Sequence, residues 1–296
     1  MIVVFGSTGN TGKVLSEFLL ERGERVRAVG RSRERLEPLA KLGAEPWTLG
    51  LEDAASVTRA LAGAHAAYLL IPPNVVTEDF VAYQARVTEA LVRGVREARV
   101  GHVAVLSSLG ANHAEGTGPI VGLHRLEQAL RGLPGLNALF VRAGYFMENF
   151  LLNIALIQAR GVSGSAAPPD APMELIATAD IGRYGAERLA ARDFSGPCVV
   201  NLVAPRPYTM REATRILGAA IGQPELQYVR FDYAELEQGL LSMGVKPQLA
   251  ALYVEMYRGA SQGLLAPEAG TDTVRAETSL EAFGPVFAGA YRGSSG

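Results

Sequence analysis

Met1-Ile-Val-Val-Phe5 runs directly into Gly6-Ser-Thr-Gly9-Asn-Thr-Gly12, after which Val14, Leu15, Phe18, Leu19 and Leu20 recur at helical spacing as far as Gly23. A short, wholly apolar, β-branched run is the pattern of a central parallel strand covered on both faces. A strand that empties through glycines into a helix aims unpaired N–H groups, and the positive end of the helix dipole, at whatever sits above the turn. A pyrophosphate suits that position, and a side chain there would hold it away. The spacing is Gly-x-x-Gly-x-x-Gly rather than the Gly-x-Gly-x-x-Gly of the common dehydrogenase fingerprint. A tight turn in any α/β protein also uses glycine, and what sets this one apart is the strand before it and the helix after it.

Working outward, 24–30 reads as the second strand, with Arg31 at its end about twenty residues past the glycines, where an NAD-preferring protein places an acid for the ribose 2′-hydroxyl. No acid stands there. The guanidinium of Arg31, with that of Arg33, is suited to a 2′-phosphate, so NADP(H) is expected in preference to NAD(H). Arg33 could equally line the solvated face of the helix at 32–42, and Arg35 is read as doing so.

Strand patterns near 2–5, 25–30, 45–49, 66–71, 101–106 and 136–142 alternate with helical patterns near 10–22, 32–42, 53–62, 79–98 and 119–132. Repeated βαβ units with right-handed crossovers predict an α/β fold: a Rossmann-like doubly wound parallel sheet with a smaller mixed C-terminal lobe. The expected division is 1–150 for the coenzyme domain, with 178–203 returning to it, and 151–296 for an interleaved substrate lobe. Gly161 to Pro172 reads as a loop of small residues and proline, 173–177 as strand-like, and 209–262 as amphipathic helices. Tyr253 and Tyr257, one turn apart, pack within the lobe or close a pocket from its side.

Composition narrows the function. Hydrophobic residues make up 48% of 296 positions, enough for a large core, and a formal net charge of -2 gives no general attraction to nucleic acid. No apolar run reaches the roughly 20 residues of a membrane span, and no basic leader precedes the first strand, so no membrane partner and a cytoplasmic setting are expected. The single cysteine, Cys198, lies in an apolar run and reads as core.

Arg142-Ala-Gly144-Tyr145-Phe146-Met147-Glu148-Asn149-Phe150, taken with the glycine turn, Ser107-Ser108, Asp180-Ile-Gly182 and the late 271–283 stretch, resembles the NmrA-like branch of the short-chain dehydrogenase/reductase superfamily, in particular its quinone oxidoreductase and triphenylmethane reductase group. The resemblance implies a coenzyme site made of Gly6, Ser7, Thr8, Gly9, Asn10, Thr11, Gly12, Arg31, Arg33, Leu70, Ile71, Pro72, Pro73, Ser107, Gly144 and Tyr145. It places Phe146, Met147 and Asn149 along a substrate pocket. Phe150 reads as core.

The superfamily's catalytic Tyr-x-x-x-Lys pair is absent, because the three lysines, at 13, 41 and 246, never follow a tyrosine by four. A lone lysine that the branch often keeps at the start of the helix after the fifth strand is replaced by Leu123-His124. The expected chemistry is therefore hydride transfer governed by binding and orientation, to a quinone or similar small aromatic electrophile that stacks on Tyr145 or Phe146. His124 and Tyr145 are the candidate proton donors, and no metal site is expected. The alternative is a non-catalytic NADP(H)-sensing regulator acting through a protein partner, and a homodimer is a further candidate assembly.

Overall fold

The computed structural model describes residues 1–294. The amino-terminal half alternates strictly: β1 (Ile2–Phe5), α1 (Asn10–Glu21), β2 (Val26–Gly30), α2 (Arg33–Lys41), β3 (Glu45–Thr48), α3 (Ala54–Leu61), β4 (Ala66–Leu69), α4 (Phe80–Ala98), β5 (His102–Ser108), α5 (Val121–Arg131) and β6 (Asn137–Ala143). The remainder supplies β7 (Tyr145–Phe146), a 3-10 segment (Met147–Asn153), α6 (Ile154–Arg160), β8 (Val162–Ser165), β9 (Leu175–Ile176), α7 (Thr178–Ala191), β10 (Pro197–Val203), α8 (Met210–Ala220), β11 (Gln227–Arg230), α9 (Tyr233–Ser242), α10 (Pro247–Ser261), β12 (Thr273–Arg275) and α11 (Leu280–Gly293).

Eight strands form one parallel sheet in the order β12-β10-β6-β5-β4-β1-β2-β3. The chain reverses direction across the sheet between β1 and β4, which opens a crevice at the carboxyl end of β1, the place where such folds receive ligands. Each face is sealed by helices, as continuous apolar strands require. On one face, Val3, Phe5, Val103 and Phe140 pack under Val57, Leu61, Val87 and Leu91, and on the other, Ile2, Val4 and Ala28 meet Leu15, Leu19, Leu36 and Leu189. Helices α1 and α7 touch closely because Gly182 has no side chain; a Cβ there would stand 2.7 Å from the Thr11 carbonyl oxygen.

The later segments do two things. β10 and β12 extend the main sheet beyond β6, whereas α6, α8 and α11 enclose a second apolar cluster around Phe150, Ile154, Leu217, Phe283 and Phe287. Two small parallel pairs, β8 with β11 and β7 with β9, stand outside the main sheet. The stretch read from sequence as a loop of small residues thus contains a strand, β8, paired by a segment more than sixty positions away. Cys198, near the exposed start of β10, is half-buried and packs at the edge of the apolar cluster of Leu139, Val141 and Val200, so it borders the core and is not enclosed by it. Among the described residues no helix is long and apolar enough to cross a membrane, and no group of three or more His, Cys, Asp or Glu is placed to hold a metal.

Candidate active site

The glycine turn is built by backbone geometry. Gly6 has φ +67°, a left-handed conformation that glycine adopts without strain, and a Cβ on Gly12 would lie 2.3 Å from the Gly6 carbonyl oxygen. The Gly9 amide closes the turn on that same carbonyl at 2.9 Å. Ser7 is fully buried, its hydroxyl donating to the Val4 carbonyl at 2.6 Å and accepting from the Val29 amide at 3.2 Å. Its side chain therefore staples the turn to β2 and is not available to a coenzyme. Thr11 accepts from the Tyr68 hydroxyl at 3.0 Å.

Helix α1 follows Gly9, which offers no side-chain cap, and has no acid in its first turn, a state it shares with α5, α6 and α10, while α2, α3, α4, α8, α9 and α11 are each capped by a Ser, Asp or Thr side chain. The first-turn amides, Asn10 to Gly12, are therefore left without helical acceptors, and Gly9 and Asn10 are exposed. A phosphate fits this donor set. Asp53, just after β3, caps α3 through the Ala55 and Ser56 amides.

Arg31 and Arg33 are exposed beside the turn. Arg35 does not simply face solvent: its guanidinium folds back and donates to the Thr8 carbonyl at 3.0 Å, adding a third cation at the rim. Leu70 lies under Gly6, and Ile71 packs on the core. Pro72 accepts from the Tyr83 hydroxyl at 3.0 Å, and Pro73 is exposed. Burial pushes the Tyr83 phenol up to about 12, and the Arg31 charge opposes that shift.

At the other end of the crevice Ser107 does not face outward. Its hydroxyl donates to Glu127 at 2.6 Å, and that fully buried carboxylate is also gripped by both Nε and Nη2 of Arg142, at 3.0 and 2.8 Å. Arg142 in turn pairs with Glu268 on the segment leading into β12. The coenzyme contact expected of Ser107 gives way to an internal ionic network. An arginine inside the apolar run Leu139-Phe-Val-Arg142 was the available sequence signal, since a buried cation demands a partner. His124 sits half-buried in the first turn of α5 and donates through Nδ1 to the Ala111 carbonyl at 2.8 Å, which leaves Nε2 as its only other ring nitrogen.

Gly144 lets the chain turn off β6 directly against β9, where a Cβ would meet the Glu174 carbonyl oxygen at 2.6 Å. Met147, fully buried among Phe150, Ile154 and Ala177, is core and not pocket wall. Phe146 is half-buried. Glu148 caps α7, accepting from the Thr178 amide and hydroxyl, and Asp180 accepts from Thr278, so the two acids of the recognised motifs serve as ties between segments.

Tyr145 sets its ring edge against Phe150, with centroids 5.7 Å apart. Its hydroxyl lies in the electrostatic reach of the side chains of Asn149 and of Tyr257 on α10. Burial holds both phenols above the ordinary tyrosine range, Tyr145 well above it, and neither has a lysine nearby to offset this. The lysines pair elsewhere, with Glu17, Glu37 and Glu78. Both phenols are therefore protonated near neutral pH and can give a proton but not take one. Helix α10 is brought over the crevice by glycine: a Cβ on Gly118 would strike the Leu252 carbonyl oxygen at 2.0 Å, and one on Gly259 the Gly116 carbonyl oxygen at 2.4 Å. From the other side, the Gln248 side chain of α10 accepts from the Phe80 and Val81 amides.

This parallel order, with an uncapped glycine turn at the reversal, defines a Rossmann-like protein. Within that class the chain belongs to the NmrA-like family, whose model matches residues 1–271. It is 24% identical over 268 residues, 90% of this chain and 89% of the relative, to an NAD(P)H azoreductase of Xenophilus azovorans. Its fold matches that of the NADPH-dependent quinone oxidoreductase QOR2 of Escherichia coli complexed with NADPH, at 22% identity and TM-score 0.80 over all of both chains. It also matches the triphenylmethane reductase of Citrobacter sp. complexed with NADP(H), at 21% identity and TM-score 0.80, covering 97% of this chain and 100% of that one.

Proposed function

We propose that this protein is an NAD(P)H-dependent oxidoreductase that reduces a quinone or a similar aromatic electrophile, with NADP(H) preferred over NAD(H). The relatives' coenzymes and acceptors support the class of reaction. The observation that carries the reading is the pair of features at the two ends of one crevice, an α1 terminus without a cap and the protonated phenols of Tyr145 and Tyr257. From β1 to β6 the crevice crosses three strand spacings, about 14 Å, which an extended dinucleotide can bridge.

In this reading residues 1–150 with 178–203 hold the coenzyme, and the rest of the chain from 151 supplies the acceptor lobe. The amides of Asn10 to Gly12 bind the pyrophosphate, and Arg31, with Arg33 and Arg35 beside it, receives the 2′-phosphate. The loop 70–73 and Gly144 border the nicotinamide end. When bound, NAD(P)H supplies the hydride. The protein contributes alignment of the acceptor over that hydride, which is where most of such a rate comes from, together with a neutral phenol hydrogen bond to the oxygen on which negative charge develops. Phe146 and the Tyr145 ring give the acceptor an aromatic wall. His124 holds the loop after β5 in place through Ala111.

Stopped-flow absorbance at the NADPH band with a panel of small quinones tests the proposal. Oxidation well above the uncatalysed rate is expected; NADPH binding without oxidation by any acceptor would instead fit a coenzyme-sensing regulator.

A further inference from the structure

The loop after β4 and the helix that carries Tyr257 are fastened together by one side chain. The loop starts at Leu70, under Gly6, and ends at Asp79, whose Oδ1 caps α4 by accepting from the Ala82 amide at 2.9 Å. The two amides ahead of Ala82, those of Phe80 and Val81, have no acceptor within α4. Gln248, in the first turn of α10, supplies it: Oε1 accepts from Phe80 at 2.6 Å and from Val81 at 3.1 Å. Its Nε2 donates to Asp79 Oδ1 at 3.2 Å. A carboxamide can accept from amides and donate to a carboxylate at the same time. The Ala82 amide, and then Gln248, hold the Asp79 carboxyl below its usual range. Nε2 therefore faces an anion, and the two ends of the carboxamide are not interchangeable.

The contacts beside this tie are weaker. The Lys246 amide donates to the Val75 carbonyl at 3.2 Å, and Lys246 Nζ pairs with Glu78 in the open, where an ion pair contributes little. Helix α9, which leads into α10, buries none of its residues and gives the junction no anchor. Leu249 and Ala250 are fully buried in the cluster that holds Phe80 and Tyr83, and further along α10 lies against the 3-10 turn at Gly118–Ile120. The helix is thus fixed, and Gln248 holds the loop to it. Gln248 itself is exposed, so it contributes hydrogen bonds and fills no space in the core.

From this geometry we infer that Gln248 is a positioning residue for the reaction: it keeps the loop at 70–79, on the nicotinamide side, in register with α10, on the acceptor side. The inference rests on the reductase reading above. Tyr257 stands nine residues further along the helix, about 14 Å at a rise of 1.5 Å per residue, so Gln248 touches neither the acceptor nor the hydride and acts through the loop. Hydride transfer is sensitive to such register, because a misplacement of about 1 Å can cost about a hundredfold. The glycine turn and Arg31 lie on other elements, which separates the effect on rate from the effect on coenzyme affinity.

Two variants test this. Gln248→Met keeps the reach of the side chain and removes all three hydrogen bonds, whereas Gln248→Glu still accepts from both amides and gives up only the donor to Asp79. With NADPH bound and a quinone in excess, the single-turnover rate should fall about ten- to a hundredfold in Gln248→Met, with the NADPH Kd within about twofold of the parent. Gln248→Glu should fall between the two. A tie that served folding alone would move the urea midpoint and leave the rate of the folded enzyme unchanged. A parent-like rate in Gln248→Met, or a loss of NADPH affinity as large as the loss of rate, would overturn the positioning role and leave the reductase reading intact. A parent protein that binds NADPH but reduces no quinone would overturn both.

Discussion

The two ends of the crevice are encoded in opposite ways. The phosphate end is written in seven consecutive residues, Gly6 to Gly12, and works through main-chain amides whose direction is set by a turn. The acceptor end is assembled from Tyr145, Phe146 and Tyr257, on elements more than a hundred positions apart, and works through side chains brought together only because α10 crosses onto the 3-10 turn at Gly118–Ile120. Backbone chemistry can be local in sequence; a chain of side chains depends on the completed fold.

The strongest way to break the assembled end is at its buried ionic tie. Glu127→Ala would leave the Arg142 guanidinium, 3% exposed, without its bidentate partner, a loss of about 3–5 kcal/mol of folding stability. Urea unfolding checks it, and a loss below about 1 kcal/mol, the scale of a surface pair, would mean that Glu268 alone satisfies Arg142. At the local end, Gly12→Ala forces a Cβ against the Gly6 carbonyl. With the turn displaced, NADPH affinity should drop by about a hundredfold, roughly 2.7 kcal/mol, a change that calorimetry reads directly.

Most of the sheet was legible because each βαβ unit carries its own pattern of apolar run, turn and amphipathic helix, and β1 to β6 fall within two residues of their expected limits. The pair β8–β11 was not. Val162-Ser-Gly-Ser165 is too short and polar to read as a strand, and the alternation of Leu226 and Tyr228 with exposed neighbours was the one local sign of its partner. Ser7, Ser107 and Met147 went astray for a common reason. Sequence locates a residue on an element, but whether it turns to Val4, Glu127 or the Phe150 cluster depends on which other elements pack against it.

A milder perturbation sharpens the coenzyme end. Arg31→Asp should weaken NADPH by about tenfold or more while NADH changes little, since one charge-assisted contact to the 2′-phosphate is worth about 1.5–3 kcal/mol; fluorescence titration with both coenzymes measures it. The smallest expected effect is a pH dependence. Burial raises the Tyr145 and Tyr257 phenols, and Tyr228 to about 12, whereas in the unfolded chain they ionise near pH ~10. The folded state then holds more protons than the unfolded one above that point, so stability contributed by the neutral phenols is complete below pH ~10 and declines as pH rises through the folded values. Urea midpoints between neutral and alkaline pH follow this, and replacing Tyr228 by Phe should flatten the decline.

Calorimetric titration of the purified protein with NADPH and with NADH, repeated on Gly12→Ala, addresses the central claim most directly. The account predicts a single saturable site, tighter for NADPH, that collapses when the glycine turn is blocked. Absence of saturable heat with either coenzyme, or undiminished binding in Gly12→Ala, would contradict it.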